Sequence, residues 1–276
     1  MSLTFRNFFF TLFFLVGLFF SETSSSREPL IRKISFLEGL TSDVVYDLFV
    51  DKQGLLYLGT DKGLMTYNGV HFEQIQNAEG LGNSVSSIQQ DKSGKIWCKN
   101  FANQLFYLEN DKLIVDKNIE FLLEKMSTNL TDFYLGTDAI YILTQEAVYS
   151  YKGSKFKRIL KRTESLNSMV FDSKNEKLYV SSNRFIYIFK NDVLIETQRT
   201  VSEQKILDVF KGELVYSTRA LDKDCVVGKK KISLKNSIPG KTFLNQFSTT
   251  TKDLWLCTNK GIYEFDAKKI HSNRGF

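Results

Sequence analysis

The residues in this chain that could do chemistry are few, and their spacing does not suit it. There are two histidines, His71 and His271, and three cysteines, Cys98, Cys225 and Cys257. Both histidines fall in neighbouring columns of an internal repeat, a placement that architecture explains better than general-base catalysis. The cysteines are odd in number and contain no CxxC pair, so a metal site is not expected. Cys98 and Cys257 sit in equivalent strands one position out of phase, which points them to opposite faces. Asp51, Asp91 and Asp172 recur where a strand gives way to a turn, and there an Asp side chain hydrogen-bonds the backbone two residues on. No HExxH, GxSxG, glycine-rich phosphate loop or zinc-ligand spacing occurs. The expectation is no catalytic residue, no metal and no cofactor.

The elements that carry these residues repeat. Gly54-Leu55-Leu56-Tyr57-Leu58-Gly59-Thr60-Asp61-Lys62-Gly63-Leu64 returns as Asp253-Leu254-Trp255-Leu256-Cys257-Thr258-Asn259-Lys260-Gly261-Ile262. Anchored on Tyr57, equivalent positions fall at Trp97, Tyr141, Tyr179, Val215 and Trp255, at intervals of 40, 44, 38, 36 and 40 residues. A period of this size marks a solenoid, a propeller or an array.

Within the first repeat, Val44–Val50 is short and rich in β-branched and aromatic residues, and reads as a strand. Asp51-Lys52-Gln53-Gly54 reads as a hairpin turn, Leu55–Thr60 as a second strand, Leu64–Tyr67 as a third and Phe72–Ile75 as a fourth. Four short antiparallel strands in about 40 residues make one propeller blade. Later repeats keep the rhythm with wear. The fifth is the most altered, and its Lys229-Lys230-Lys231 run suggests an exposed hairpin or a modified blade. The fold class is therefore all-β, a β-propeller with six recognisable blades, expected to be an incomplete seven-bladed ring. Repeats lie near 39–79, 80–125, 126–163, 164–201, 202–239 and 240–274.

Residues 8–20 form an apolar run preceded by Arg6 and followed by Ser21–Ser26. Thirteen residues are too few to span a bilayer comfortably, which takes about 20. They suit the apolar region of a signal peptide over residues 1–26, with an uncleaved N-terminal anchor as the alternative. Residues 27–276 are then the exported propeller. The net charge of +6 is spread among acidic residues, unlike the basic stripe of a nucleic-acid binder. No nucleic-acid partner is expected, and membrane contact only through an anchor.

Residues 39–72 resemble the two-component-regulator propeller repeat. The likeness is carried by Gly39-Leu40-Thr41, Asp43, Val45, Leu48, Asp51, Gly54, Tyr57, Gly59-Thr60 and Gly63-Leu64. The second repeat matches through Gly80-Leu81, Asn83-Ser84-Val85, Asp91, Gly94 and Trp97, with Cys98-Lys99 where Gly-Thr is usual. The sixth matches through Trp255, Thr258 and Gly261. The resemblance implies the periplasmic ligand-sensing region of a membrane histidine kinase or hybrid two-component system of Bacteroidetes type. It implies an unidentified small-molecule or glycan ligand and further sensor domains as partners. The full-length relative would be anchored in the inner membrane.

Two strand-like segments bear on completeness. Ile31–Ile34 reads as a fourth strand lacking its own first three, and Asn273–Phe276 as the opening of a seventh repeat. The expectation is an N-terminal fragment. The alternatives are an exported propeller scaffold with a protein partner, or a propeller hydrolase or lyase. Ligand-binding residues remain unassigned, because propeller sites are assembled from loops that vary freely.

Overall fold

The computed structural model describes residues 39–42, 44–77 and 82–200, and beyond them the strands between 204 and 271. The leader, the Ile31–Ile34 segment and Asn273–Phe276 lie outside the described residues. The first sheet is β1 (Val45–Val50), β2 (Leu56–Thr60), β3 (Gly63–Tyr67) and β4 (Phe72–Gln74). The second is β5 (Ser86–Gln90), β6 (Ile96–Lys99), β7 (Leu105–Glu109) and β8 (Lys112–Val115). The third is β9 (Asp132–Leu135), β10 (Ile140–Leu143), β11 (Ala147–Lys152) and β12 (Lys155–Lys161), and the fourth is β13 (Leu166–Asp172), β14 (Lys177–Ser182), β15 (Phe185–Lys190) and β16 (Val193–Arg199). Each is an antiparallel meander with its strands in sequence order.

Two further four-stranded sheets follow by strand pairing, β17 (Gln204–Phe210) to β20 (Lys230–Ser233) and β21 (Leu244–Thr249) to β24 (Lys269–His271). The lysine run falls at a hairpin, with Val227 opposite Lys230. Of the expected six blades in an incomplete seven-bladed ring, the structure establishes the coarser part. It is an all-β propeller of four-stranded blades, four of which are described with their side-chain packing.

Turn chemistry sets the hairpins. The Asp51 carboxylate accepts from Gln53 N at 2.8 Å and Leu55 N at 2.9 Å, and Gly54 N donates to Asp51 O at 3.1 Å. Gly54 needs no Cβ at its φ of +89°. Asp91 and Gly94 repeat the arrangement, with Lys95 N on the Asp91 carboxylate at 2.9 Å. In the fourth blade Asp172 accepts from Lys174 N at 3.0 Å and Asn175 N at 3.2 Å. These three aspartates are turn clamps.

The first strands of successive sheets meet one another, β1 with β5, β5 with β9, β9 with β13, β13 with β17 and β17 with β21. That makes them the axial strands. All of them but β9 carry a register shift, at Val45/Asp47, Ser86/Gln89, Leu166/Ser168, Ile206/Asp208 and Leu244/Gln246. Such a bulge re-aims a side chain. Asp47 uses it to accept from Ile88 N of the next blade at 2.5 Å, and Ser168 to accept from Ile206 N at 2.7 Å.

The recurring aromatic now has a physical reason. Tyr57 packs with Val85 and Ile88 of the following blade. Tyr141 stacks on Phe171 of the next, with centroids 5.6 Å apart, and Tyr179 shares a cluster with Ile206. Each anchor fills the wedge between neighbouring blades. Burial of one such apolar side chain contributes roughly 1.5–3 kcal/mol.

One element departs from the expected all-strand pattern. Helix α1 (Lys117–Lys125) is capped by Asp116, which accepts from Asn118 N at 3.1 Å and Ile119 N at 3.0 Å. Its Ile119, Leu122 and Leu123 are buried against Leu105, Phe133 and Ile142. The i, i+3, i+4 spacing of those three places them on one helix face. The helix occupies the longest interval, the 44 residues between Trp97 and Tyr141.

Candidate ligand-binding sites of the propeller

The two ends of the propeller differ in chemistry. The end carrying the β5–β6 and β9–β10 turns holds a groove of about 400 Å³ between the second and third blades, lined by Asp91, Trp97, Thr137, Asp138, Tyr151 and Lys152 among others. A neighbouring hollow of about 290 Å³ continues toward the axis through Phe49, Gln89, Tyr134 and Phe171. Its floor is fixed by Gln89, whose amide donates to Phe133 O at 2.8 Å and accepts from Leu135 N at 3.0 Å.

The polar groups of this groove are mostly committed. Burial pushes the Asp91 carboxyl up. Hydrogen bonds from the Ser93 hydroxyl at 2.6 Å and the Trp97 indole at 3.1 Å outweigh it, with backbone N–H groups, and hold the pKa below the usual range. Asp138 is paired with Lys152. Both of those side chains are exposed, so the pair adds little to stability.

The opposite end is different. Lys99 ends β6 and is only 7% exposed. It stands where the first blade has Gly59, at which a Cβ would come within 2.5 Å of Val85 O. The Lys99 side chain lies over the Phe101 ring, with Nζ 5.5 Å from the centroid. Burial lowers its pKa, and the Asp132 carboxylate of β9 acts against that shift.

Ser86 is the cross-strand partner of Lys99, so the two side chains rise from one face of the sheet. Its hydroxyl is buried and meets no hydrogen-bond partner among the described residues. Phe101, 59% exposed, meets Tyr46 of β1 edge-on with centroids 4.9 Å apart. An unsatisfied hydroxyl, a buried lysine and an open aromatic edge therefore converge at this end. A buried polar group without a partner costs about 1–3 kcal/mol.

The residues singled out from sequence are placed apart from this cluster. His71 is exposed at the start of β4, with its backbone N–H on Asn68 Oδ1 at 2.9 Å. The strand position of His271 is opposite Glu264, and its side chain lies outside the described residues, as do those of Cys225 and Cys257. Cys98 is a buried free thiol, pushed up in pKa by burial and then by Asp47. Among the described residues no group of three or more His, Cys, Asp or Glu is placed to hold a metal ion. No helix among them is long and apolar enough to cross a membrane. Lys99 and Ser86 were not singled out as a site. The signal that could have found them was Lys99-Asn100 standing in the place of Gly59-Thr60.

Residues 39–62 match the family model described as two component regulator propeller, so the chain carries a repeat of that family. No curated protein matches the chain in sequence. Among solved structures, the extracellular domain of a B. thetaiotaomicron hybrid two component system is similar, at 18% identity and a TM-score of 0.57 over 83% of this chain and 33% of that one. A second such extracellular domain from the same organism gives 14% identity and a TM-score of 0.59, over 83% of this chain and 32% of that one. Virginiamycin B lyase from Staphylococcus aureus gives 10% identity and a TM-score of 0.59, over 79% of this chain and 78% of that one. At these identities the likeness is one of fold. The chain spans 33% of the length of the first of these extracellular domains.

Proposed function

We propose that this chain is the ligand-sensing propeller of a two-component sensor, exported to the periplasm and not itself catalytic. It binds a small molecule or glycan and passes the change to kinase modules of its system. The observation that carries this reading is the two component regulator propeller repeat at residues 39–62, set in four-stranded blades whose ends bear open, partly polar hollows. Fold alone would not license it.

The reading includes six recognisable blades within a seven-bladed ring. Val85 and Ile88 of the second blade are buried against the first, at 0% and 5% exposure, whereas their counterparts Val45 and Leu48 on β1 are 39% and 42% exposed. That open apolar strip is what a further blade would cover.

The test is an alkaline phosphatase fusion after Phe276 in a Gram-negative host, beside a phosphotransfer assay on the purified chain. Active phosphatase and no autophosphorylation are expected. Inactive phosphatase would overturn the periplasmic address. Phosphorylation of the chain from ATP would overturn its non-catalytic role.

A further inference from the structure

We propose that Ser86, Lys99, Tyr46 and Phe101 form a binding site for a carboxylate carried on a ring, at the end of the propeller away from the β1–β2 turns. The proposal deepens the sensing reading and rests on it for its biological meaning, though not for its chemistry.

Three independent features converge. The Ser86 hydroxyl is buried with no hydrogen-bond partner among the described residues. Buried hydroxyls are satisfied in the great majority of cases, so one that is not marks a place for an acceptor. Lys99 as a residue is 7% exposed. Its neighbours are the Phe101 ring and the charge of Asp132. Asp132 itself takes the Phe133 N–H at 2.9 Å. An ammonium is kept away from water at a cost, and a charged acceptor placed beside it would gain from the low local dielectric.

The third feature sets the shape of the ligand. Phe101 and Tyr46 are 59% and 39% exposed and meet edge-on. They offer an apolar wall next to the donors. A ring laid against that wall brings a carboxylate attached to it toward Ser86 Oγ–H and Lys99 Nζ–H. A neutral ring would leave the Ser86 hydroxyl unpaired, and a free inorganic anion would leave the wall bare.

Local sequence gives the site to one blade junction. In the first blade the slot of Lys99 is Gly59, where any side chain would strike Val85 O. In the third it is Leu143, buried in a wholly apolar cluster. Only the second blade, among those described with side chains, puts a cation there.

The experiment titrates the full chain with benzoate and cyclohexanecarboxylate. Benzyl alcohol and cyclohexylmethanol serve as neutral ring controls and acetate as the ringless one. Heat of binding and thermal shift are read. Saturable, salt-sensitive binding of both ring carboxylates is expected, with the controls weaker by roughly tenfold or more. Lys99→Met should abolish it, Ser86→Ala should weaken it by about tenfold, and Phe101→Ala should erase the preference over acetate. Unchanged affinity in folded Ser86→Ala and Lys99→Met would overturn the proposal, as would the absence of saturable binding to the folded wild type. Ser86→Ala removes one oxygen and leaves the strand intact, so the test survives if Lys99→Met fails to fold. Failure here with an exported, non-phosphorylating chain refutes this site alone. Binding here with failure of the fusion or phosphotransfer result refutes the sensing reading instead.

Discussion

Gln89, on the axial strand of the second blade, accepts a hydrogen bond at 3.0 Å from the backbone N–H of Leu135 on the axial strand of the third. The same amide donates to Phe133 O at 2.8 Å. One side chain thus supplies the donor and acceptor that a neighbouring strand would otherwise supply. Blades one and two are joined at the axis by Asp47 and Ile88 N instead, and blades four and five by Ser168 and Ile206 N.

Gln89→Ala leaves the Phe133 carbonyl and the Leu135 N–H without their partner. The expected loss is about 1–3 kcal/mol of unfolding free energy. Urea denaturation checks it. Gln89→Glu should recover part at most, because a carboxylate accepts from Leu135 but cannot donate to Phe133. Full stability in both variants would show that the amide bridge contributes nothing.

Gly59 is a test of how closely the first two blades approach. A Cβ there would lie 2.5 Å from Val85 O and 3.1 Å from Val85 C. Backbone atoms cannot swing aside as a flexible side chain would, so Gly59→Ala must push the β5 strand away from β2. The Tyr57, Val85 and Ile88 packing would loosen with it. Overpacking of this kind costs about 1–3 kcal/mol. The melting temperature should fall accordingly; an unchanged value would contradict the close approach.

Lys99 makes the pH dependence distinctive. Burial lowers its folded-state pKa below the ordinary 10.5, against the pull of Asp132. Between the two values the unfolded chain binds more protons than the folded one, so this group's contribution to stability rises with pH across that interval. Below the interval its penalty is constant. Lys99→Met removes the penalty and should stabilise the protein by roughly 1 kcal/mol or more. The gain should be largest below the interval and shrink as pH climbs into it. Burial raises the Tyr57 and Tyr141 pKa values and works in the opposite sense at alkaline pH. Both tyrosines are present in both proteins, so the difference in melting temperature isolates Lys99. A difference that does not vary with pH would refute the burial of this charge.

Much of the fold was legible before any contact was known. Strands and turns are local: Asp51 and Gly54 specify their hairpin within five residues, and Tyr57 recurs because every wedge between blades needs filling. Helix α1 was not legible, although the 44-residue interval that holds it was. Its short amphipathic face, Ile119, Leu122 and Leu123, is hard to tell from strand residues in a chain rich in both. The candidate site was hidden for a different reason. Lys99 in the slot of Gly59 broke the repeat pattern, but nothing local says that Lys99 lies over Phe101, beside Ser86 and within reach of the charge of Asp132.

The sequence by itself determined the repeat, the strand order within each blade and the turn residues, since all of these act over a few positions. Only the tertiary structure decided which side chains pin one blade to the next and where a cation is kept from water. Those choices depend on bulged axial strands meeting residues some 40 positions away, where burial and geometry, rather than local propensity, set the energy.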